Sequence, residues 1–123
     1  MTDNPSKVLV VEDDSLICLL LGDLLSELGC DVVGPVSTAE NAESIAVDQP
    51  LDFALLDVNL GHDTSYATAE ILRRRNIPFA FLTGHGVERI REDMRFAPLL
   101  LKPIDVDELK HVLEQSRALG PTG

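Results

Sequence analysis

The stretch Phe53-Ala54-Leu55-Leu56-Asp57 decides the fold, because four consecutive apolar residues end on a single carboxylate. A continuous apolar run, rather than an alternating one, is typical of a strand covered on both faces, as in a parallel sheet. Similar runs occur along the whole chain. They predict five strands, at about 6–11, 31–36, 52–56, 78–82 and 99–102.

Segments of helical period lie between these runs. They predict helices at about 15–28, 38–48, 64–75, 87–94 and 105–118. Asp14 or Ser15 can cap the first helix, Ser37 the second and Asp105 the last. The alternation of strands and helices predicts an α/β doubly wound domain, with a five-stranded parallel sheet and helices on both faces.

Composition and charge narrow the function. The chain has 123 residues, of which 45% are apolar and 25% charged, which indicates one globular domain over 1–123, and we expect no second domain. A formal charge of −11 disfavours binding to nucleic acid or to an anionic membrane. Arginines do gather at 73–75 and at 89, 91 and 95, where solvated helix faces are the simplest interpretation.

The chain shows no secretory or membrane-spanning segment. Cys18 and Cys30 lack the spacing of a zinc site or a disulfide framework, which is compatible with a reducing compartment. His62, His85 and His111 fall on separate segments without metal spacing, so surface positions are expected. We expect a cytoplasmic protein.

Reactive groups follow four of the five apolar runs. These are Glu12-Asp13-Asp14, Asp57, Thr83-Gly84 and Lys102-Pro103. The carboxyl ends of parallel strands meet at one sheet edge, where ligands bind in such folds. The second strand ends in Gly34-Pro35-Val36, without a titratable group, and is predicted to lie outside the site.

The acidic residues indicate a divalent cation. Glu12, Asp13 and Asp57, with the backbone carbonyl of Asn59, offer the oxygen ligands that Mg²⁺ prefers. A helix cap with first-turn acids is the alternative for Glu12 and Asp13, and it is the preferred interpretation of Asp14.

Asp57 is predicted to be the nucleophile, since an ionised carboxylate beside a cation can form an aspartyl phosphate. A turn residue is the alternative. Lys102 and the Thr83 hydroxyl would hold phosphoryl oxygens, although taken alone a solvent-directed lysine and a turn hydroxyl explain them as well. Gly84 leaves room for approach, and Pro103 fixes a turn and permits a cis bond that directs Lys102 inward.

These residues resemble the receiver domains of bacterial two-component response regulators. Val-Val-Glu-Asp-Asp at 10–14, Leu-Asp-Val-Asn-Leu at 56–60, Thr83-Gly84 and Leu-Lys-Pro at 101–103 are similar to the receiver signature in order and spacing, over about 7–119. The resemblance implies a flavodoxin/CheY-like fold with strand order 2-1-3-4-5, phosphorylation of Asp57 by a histidine kinase or phosphotransfer protein, and Mg²⁺ at Glu12, Asp13 and Asp57.

Two regions depart from the family pattern. Most receivers carry Tyr or Phe three residues before the lysine, and this chain has Leu99. The segment from Pro78 to Gly86 resembles the FATGUY subgroup of stand-alone receivers, with Leu82 and His85 as departures. His85 is a candidate modulator of how water reaches an acyl phosphate.

The leading hypothesis is therefore a stand-alone, monomeric or weakly dimeric phospho-switch that changes affinity for a protein partner. A phosphate sink that drains a histidine kinase is the second. A metal-dependent phosphotransfer enzyme on a doubly wound sheet is a distant third, because no Gly-rich loop follows the first strand. We expect no catalysis beyond phosphorylation and dephosphorylation of Asp57 itself.

Overall fold

Five parallel strands form the central sheet. The computed structural model describes residues 6–84, 86 and 89–116. The strands of the sheet are β1 (Ser6–Val11), β2 (Cys30–Val36), β3 (Phe53–Asp57), β6 (Phe79–Thr83) and β7 (Leu99–Leu101), and a separate antiparallel pair is formed by β4 (Asn59–Leu60) and β5 (Asp63–Thr64). The spatial order is β2-β1-β3-β6-β7. Counted along the chain within this sheet, that order is 2-1-3-4-5, as the family resemblance implied.

Register fixes which strand ends meet. Val11 pairs with Leu56 across β1 and β3, and Asp57 pairs with Leu82 across β3 and β6. Thr83 in turn pairs with Leu101 across β6 and β7. The carboxyl ends of four neighbouring strands therefore lie at one edge, each carrying its polar residue just past the last apolar one.

Four α-helices cover the sheet in the described part of the chain. They are α1 (Ser15–Glu27), α2 (Ala39–Asp48), α3 (Tyr66–Arg74) and α4 (Val106–Gln115). Asp14 caps α1 by accepting from Leu16 N at 2.9 Å, and Asp105 caps α4 by accepting from Asp107 N at 2.8 Å. The predicted cap of α2 was wrong by one residue, because the Thr38 hydroxyl rather than Ser37 accepts from Asn41 N.

Two predicted helices differ from the structure. The helix expected at 64–75 begins only at Tyr66, because β4 and β5 form a hairpin that turns at Gly61 with φ +64. The helix expected at 87–94 is a short 3-10 turn at Glu92–Met94, with residues 87 and 88 outside the described residues. Arg91 has extended backbone angles, which prevent a regular helix from running through it.

The core is divided by the sheet into two halves. Helices α1 and α4 bury leucines such as Leu21 and Leu109 against one face, and α2 and α3 bury residues such as Ala46 and Leu72 against the other. Successive residues of β1 alternate between the two halves. This two-sided burial explains why the strands read as continuous apolar runs. Within the described residues, no helix has both the length and the apolar character to cross a membrane.

Candidate functional site

An acidic cluster lies at the carboxyl edge of the sheet. Glu12 and Asp13 follow β1, and Asp57 ends the neighbouring strand β3. One carboxylate oxygen from each of the three lies within 4.8 Å of the others. Glu12 and Asp57 are buried, whereas Asp13 is exposed at the mouth. The register of β1 and β3 thus brings together the three acids that the sequence singled out.

Lys102 joins this cluster from β7. Its backbone N–H donates to Thr83 O at 2.8 Å, which ties the end of β7 to the end of β6. The ammonium Nζ lies 2.9 Å from Glu12 Oε1 and 3.3 Å from Asp57 Oδ2. The Lys102–Pro103 peptide bond is cis. Lys102 therefore lies over the acids rather than pointing to solvent.

The pKa values of Asp57 and Lys102 are both raised in this site. The pKa of Asp57 is raised to about 7, chiefly by burial and then by hydrogen bonding and charge from Glu12, with Lys102 opposing them. Burial alone would lower the pKa of Lys102, but Glu12 and Asp57 outweigh it and the net pKa is raised. One ammonium does not compensate three carboxylates, so the site has an excess of negative charge.

The residues fit a divalent cation. Glu12 Oε2 accepts from Asp14 N at 3.0 Å, whereas the buried Glu12 Oε1 forms an ion pair with Lys102 but, in the described part of the chain, no hydrogen bond that meets geometric criteria. Carboxylate oxygens clustered at this spacing are the donors that Mg²⁺ takes. Ser65 N donates to Val58 O, which makes Asn59 and Thr64 a non-hydrogen-bonded pair and leaves the Asn59 carbonyl outside the hairpin ladder.

Thr83 and Gly84 complete the edge. Thr83 is buried at the end of β6, between the ends of β3 and β7. A Cβ added to Gly84 would meet no atom within 4 Å, so the space beside it is open to an incoming group. The structure thus brings Glu12, Asp13, Asp57 and Lys102 together and places Thr83 and Gly84 at the same edge, whereas His85 lies outside the described residues.

The second strand, which the sequence placed outside the site, borders it. Pro35 and Ser37 share a cavity of about 460 Å³ with Glu12, Asp13 and Leu19. A bulge between β1 and β2 and a cis Gly34–Pro35 bond shape this wall. Gly34 is required there, since its φ is +96 and an added Cβ would lie 2.8 Å from Val36 N. Sequence reasoning tested only for titratable groups and so missed an apolar wall.

Cys18 is another neighbour that the sequence did not assign to the site. Its thiol donates to Glu12 O at 3.3 Å and lines the same cavity. Burial raises the pKa of the Cys18 thiol, as do Glu12 and Asp14, which keeps the group protonated. In the sequence, the position of Cys18 one turn into the first helix, close to Glu12, is the one feature that could have indicated this contact.

An aromatic pair occupies the interior next to Leu99. Leu99 is half-buried and pairs with Phe81 across β6 and β7. The Tyr66 ring contacts Phe81 edge-on at 5.8 Å, and the Tyr66 hydroxyl accepts from Arg91 N at 3.0 Å. Position 99 has no aromatic ring, but the ring of Tyr66, from α3, packs against the same part of the core.

The chain is similar to receiver proteins throughout its length. Residues 8–114 match the family model described as response regulator receiver domain. The transcriptional regulatory protein PdtaR of Mycobacterium tuberculosis is 31% identical over 115 residues, which are 89% of this chain and 56% of PdtaR. The phyllosphere-induced regulator PhyR of Methylorubrum extorquens is 29% identical over 93% of this chain and 44% of its own length. The chain thus spans about half the length of these curated relatives.

Solved structures give the same fold. SdrG from Sphingomonas melonis Fr1 is 37% identical with a TM-score of 0.82, covering 96% of this chain and 98% of SdrG. The receiver domain of the sensor histidine kinase PA1611 from Pseudomonas aeruginosa, solved with magnesium coordinated in its active site cleft, is 27% identical with a TM-score of 0.80 and covers 95% of this chain and 99% of its own. Receiver proteins thus match both the sequence and the fold.

Proposed function

The chain belongs to the response regulator receiver domain family, and from that premise we propose that Asp57 accepts a phosphoryl group from a histidine kinase or phosphotransfer protein, with Mg²⁺ as cofactor. We further propose that phosphorylation changes the affinity of the chain for a protein partner. The observation that carries the proposal is the convergence of Glu12, Asp13, Asp57 and Lys102 at one sheet edge.

The transfer needs positioning and charge compensation rather than extensive covalent work. An oxygen of the Asp57 carboxylate attacks phosphorus, the phosphorus–nitrogen bond of the phosphohistidine donor breaks, and the imidazole leaves with the electron pair. The product is an acyl phosphate on Asp57. Lys102 Nζ, which lies 3.3 Å from Asp57 Oδ2, would hold one phosphoryl oxygen, and the hydroxyl of Thr83, at the end of the adjacent strand β6, would donate to another.

Glu12, Asp13, Asp57 and the Asn59 carbonyl would hold the cation. When bound, Mg²⁺ supplies positive charge that offsets the repulsion between the acids and the incoming phosphoryl oxygens. Lys102 forms an ion pair with Glu12 in the unphosphorylated chain and would also pair with the phosphoryl group on Asp57. Loss of the phosphoryl group follows when water attacks phosphorus, which releases phosphate and restores the Asp57 carboxylate.

An apolar patch beside the site suits docking of the donor. Leu16, Leu19 and Leu20 of α1 are 77%, 64% and 42% exposed. Leu19 also lines the cavity that contains Glu12 and Asp13. Exposed apolar residues grouped on one helix mark interaction surfaces. A donor helix that packs on this patch would carry its phosphohistidine toward Asp57.

Phosphorylation by a small donor tests the chemistry without the kinase. Wild-type protein incubated with acetyl phosphate and Mg²⁺ is expected to gain the mass of one phosphoryl group, and the gain is expected to disappear with a chelator. Asp57→Asn should not gain it, whereas Asp23→Asn, an exposed aspartate on α1, should behave as wild type. Wild type that stays unmodified with every donor and kinase tried, or Asp57→Asn that is modified equally, contradicts the proposal.

A further inference from the structure

A groove lies at the amino edge of the sheet, opposite the acidic cluster. It has a volume of about 350 Å³ and is formed where α3 leads into β6 and where residues 96–98 lead into β7. Arg73, Asn76, Phe96 and Pro98 are exposed in its walls, and Phe79 is buried beneath them. Its volume is at the lower end of the range of about 300–1,000 Å³ for ligand pockets, which is room for one large side chain.

Phe96 is the notable residue of this groove. Its side chain is 60% exposed although it contacts the ring of Phe79 edge-on at 5.8 Å. The guanidinium of Arg73 lies 4.9 Å from the centre of the Phe96 ring. The stacked arginine and the buried ring beneath hold Phe96 in place. A preordered phenylalanine and arginine are the residue types enriched in protein–protein interfaces.

The segments that form the groove belong to a basic stretch of an otherwise acidic chain. Six arginines and three acids lie between residues 73 and 95, in a chain whose formal charge is −11. Three of these arginines are engaged within the chain. Arg75 donates to Ala46 O and Gln49 O, Arg91 forms ion pairs with Asp93 and Glu70, and Arg95 donates to Ile90 O. A positive patch on so acidic a chain favours contact with an acidic partner.

Arg73 is the cation in the lining of the groove. Among the residues that the structure describes, no carboxylate lies within ion-pair distance of Arg73. Arg91, and to a smaller extent Arg73, lower the pKa of the Asp93 carboxyl. Asp93 is already bound by Arg91, whose guanidinium donates to it at 2.6 and 3.0 Å. The Arg73 guanidinium can therefore remain stacked on the Phe96 ring while its N–H groups donate to a carboxylate of the partner.

We propose that this groove binds an acidic segment of a partner protein, in which carboxylates flank one large apolar side chain. The apolar side chain fills the groove against Phe96 and Pro98, and a flanking carboxylate pairs with Arg73. A nucleic acid fits less well, because the rest of the chain repels a continuous phosphate backbone. The groove lies at the opposite end of β6 from Thr83, so this binding does not require phosphorylation of Asp57.

Binding of a defined peptide tests the groove. The probe is a fluorescein-labelled peptide Glu-Asp-Glu-Leu-Phe-Glu-Asp-Glu, measured by fluorescence anisotropy against the full chain at about 0.15 M salt. We expect Arg73→Glu and Phe96→Ser each to weaken binding at least tenfold. Arg74→Glu, an equal charge change next to the groove but outside its lining, should weaken it less than threefold. Thermal unfolding of each variant shows whether it is folded.

Two altered peptides separate the parts of the proposal. Replacing Leu-Phe by Ser-Ser, or all acids by Gln and Asn, should each remove at least nine-tenths of the affinity. The proposal is overturned by an Arg74→Glu effect equal to that of Arg73→Glu, by tighter binding of a single-stranded RNA of equal length, or by self-association at the groove that excludes the peptide. Asp57→Asn should bind the peptide as wild type does, so failure of phosphorylation and failure of docking are distinguishable.

Discussion

The two ends of strand β6 have opposite electrostatic designs. At the carboxyl end, near Thr83, three carboxylates lie together, and the two buried ones, Glu12 and Asp57, share the Lys102 ammonium. At the amino end, near Phe79, an exposed ring and the Arg73 guanidinium border an open groove. Phe79 and Thr83 are the first and last of the five residues of β6 and lie about 13 Å apart along the strand.

The contrast shows where this domain stores unfavourable free energy. The carboxyl edge concentrates like charge where water is partly excluded, so it gains most from a cation and from chemistry that changes its charge. The amino edge keeps its charge in solvent, so it is stable as it stands and gains only from a partner that covers Phe96. We therefore expect mutations at the two ends to separate phosphorylation from docking.

Removal of Lys102 should have the largest effect. Lys102→Ala leaves the acids without their ammonium and a phosphoryl oxygen without a partner. A charge-assisted hydrogen bond contributes about 1.5–3 kcal/mol, so the rate of phosphorylation by acetyl phosphate should fall about 10- to 100-fold. Lys110→Ala, at an exposed position of α4, is the matched control and should leave the rate unchanged. Equal rates for the two variants would remove Lys102 from the mechanism.

Two adjacent aspartates should separate metal binding from helix capping. Asp13→Asn removes one charge from the acidic cluster and should weaken Mg²⁺ binding about tenfold, measured by calorimetric titration. Asp14→Asn keeps a good N-cap for α1 and should change the affinity less than about threefold. A larger loss in Asp14→Asn would mean that Asp14, and not Asp13, faces the cation.

Stability without metal should depend on pH through Asp57. Burial, together with the neighbouring Glu12, raises the pKa of this carboxyl from 3.8 to about 7 in the folded protein. Between these values the folded protein holds a proton that the unfolded chain has lost, so the free energy of unfolding falls as pH rises through this interval. Asp57→Asn has no carboxyl group at this position, so its free energy of unfolding does not fall for this reason. It should be more stable than wild type by about 1–2 kcal/mol at pH 8 in chelator.

Urea unfolding of both proteins from pH 4 to pH 8 measures the effect. The gap between them should be small at pH 4 and widen toward pH 8, and Mg²⁺ should narrow it by stabilising wild type. A gap that stays constant with pH would show that the carboxylate at position 57 is not the cause.

The smallest effect should come from the groove. Phe96→Ala lies at the far end of β6 from the acids, so its phosphorylation rate should stay within twofold of wild type, measured by the same acetyl phosphate assay. Phe96 is 60% exposed, so its removal should cost little stability. A tenfold change in rate would show that the two ends of the strand are coupled.

Much of the fold could be predicted because its strands are buried on both faces. The runs at 6–11 and 52–56 came within a residue of the observed strands β1 and β3, since no other element explains such short apolar stretches. The hairpin at 59–64 could not be predicted, because strands of two residues carry no period. The helix expected at 87–94 failed because Arg91 is extended, which a thin apolar stripe does not reveal.

The site was predictable for a related reason. Each acid directly follows a buried strand, so parallel pairing alone brings Glu12, Asp13 and Asp57 together. The wall at Pro35 and the groove at Phe96 were not predictable, because they depend on how loops from distant segments pack. A lone phenylalanine in a polar segment does not indicate whether it is buried or exposed.

Identification of the phosphorylated residue tests the central claim most directly. An acyl phosphate is reduced by borohydride to the alcohol, which converts a phosphorylated aspartate into homoserine. After treatment with acetyl phosphate, Mg²⁺ and borohydride, peptide mass spectrometry should find homoserine at position 57 and unmodified aspartate at position 13. Homoserine at position 13, or no homoserine in protein that carries phosphate, would contradict the assignment of Asp57 as the phosphoryl acceptor.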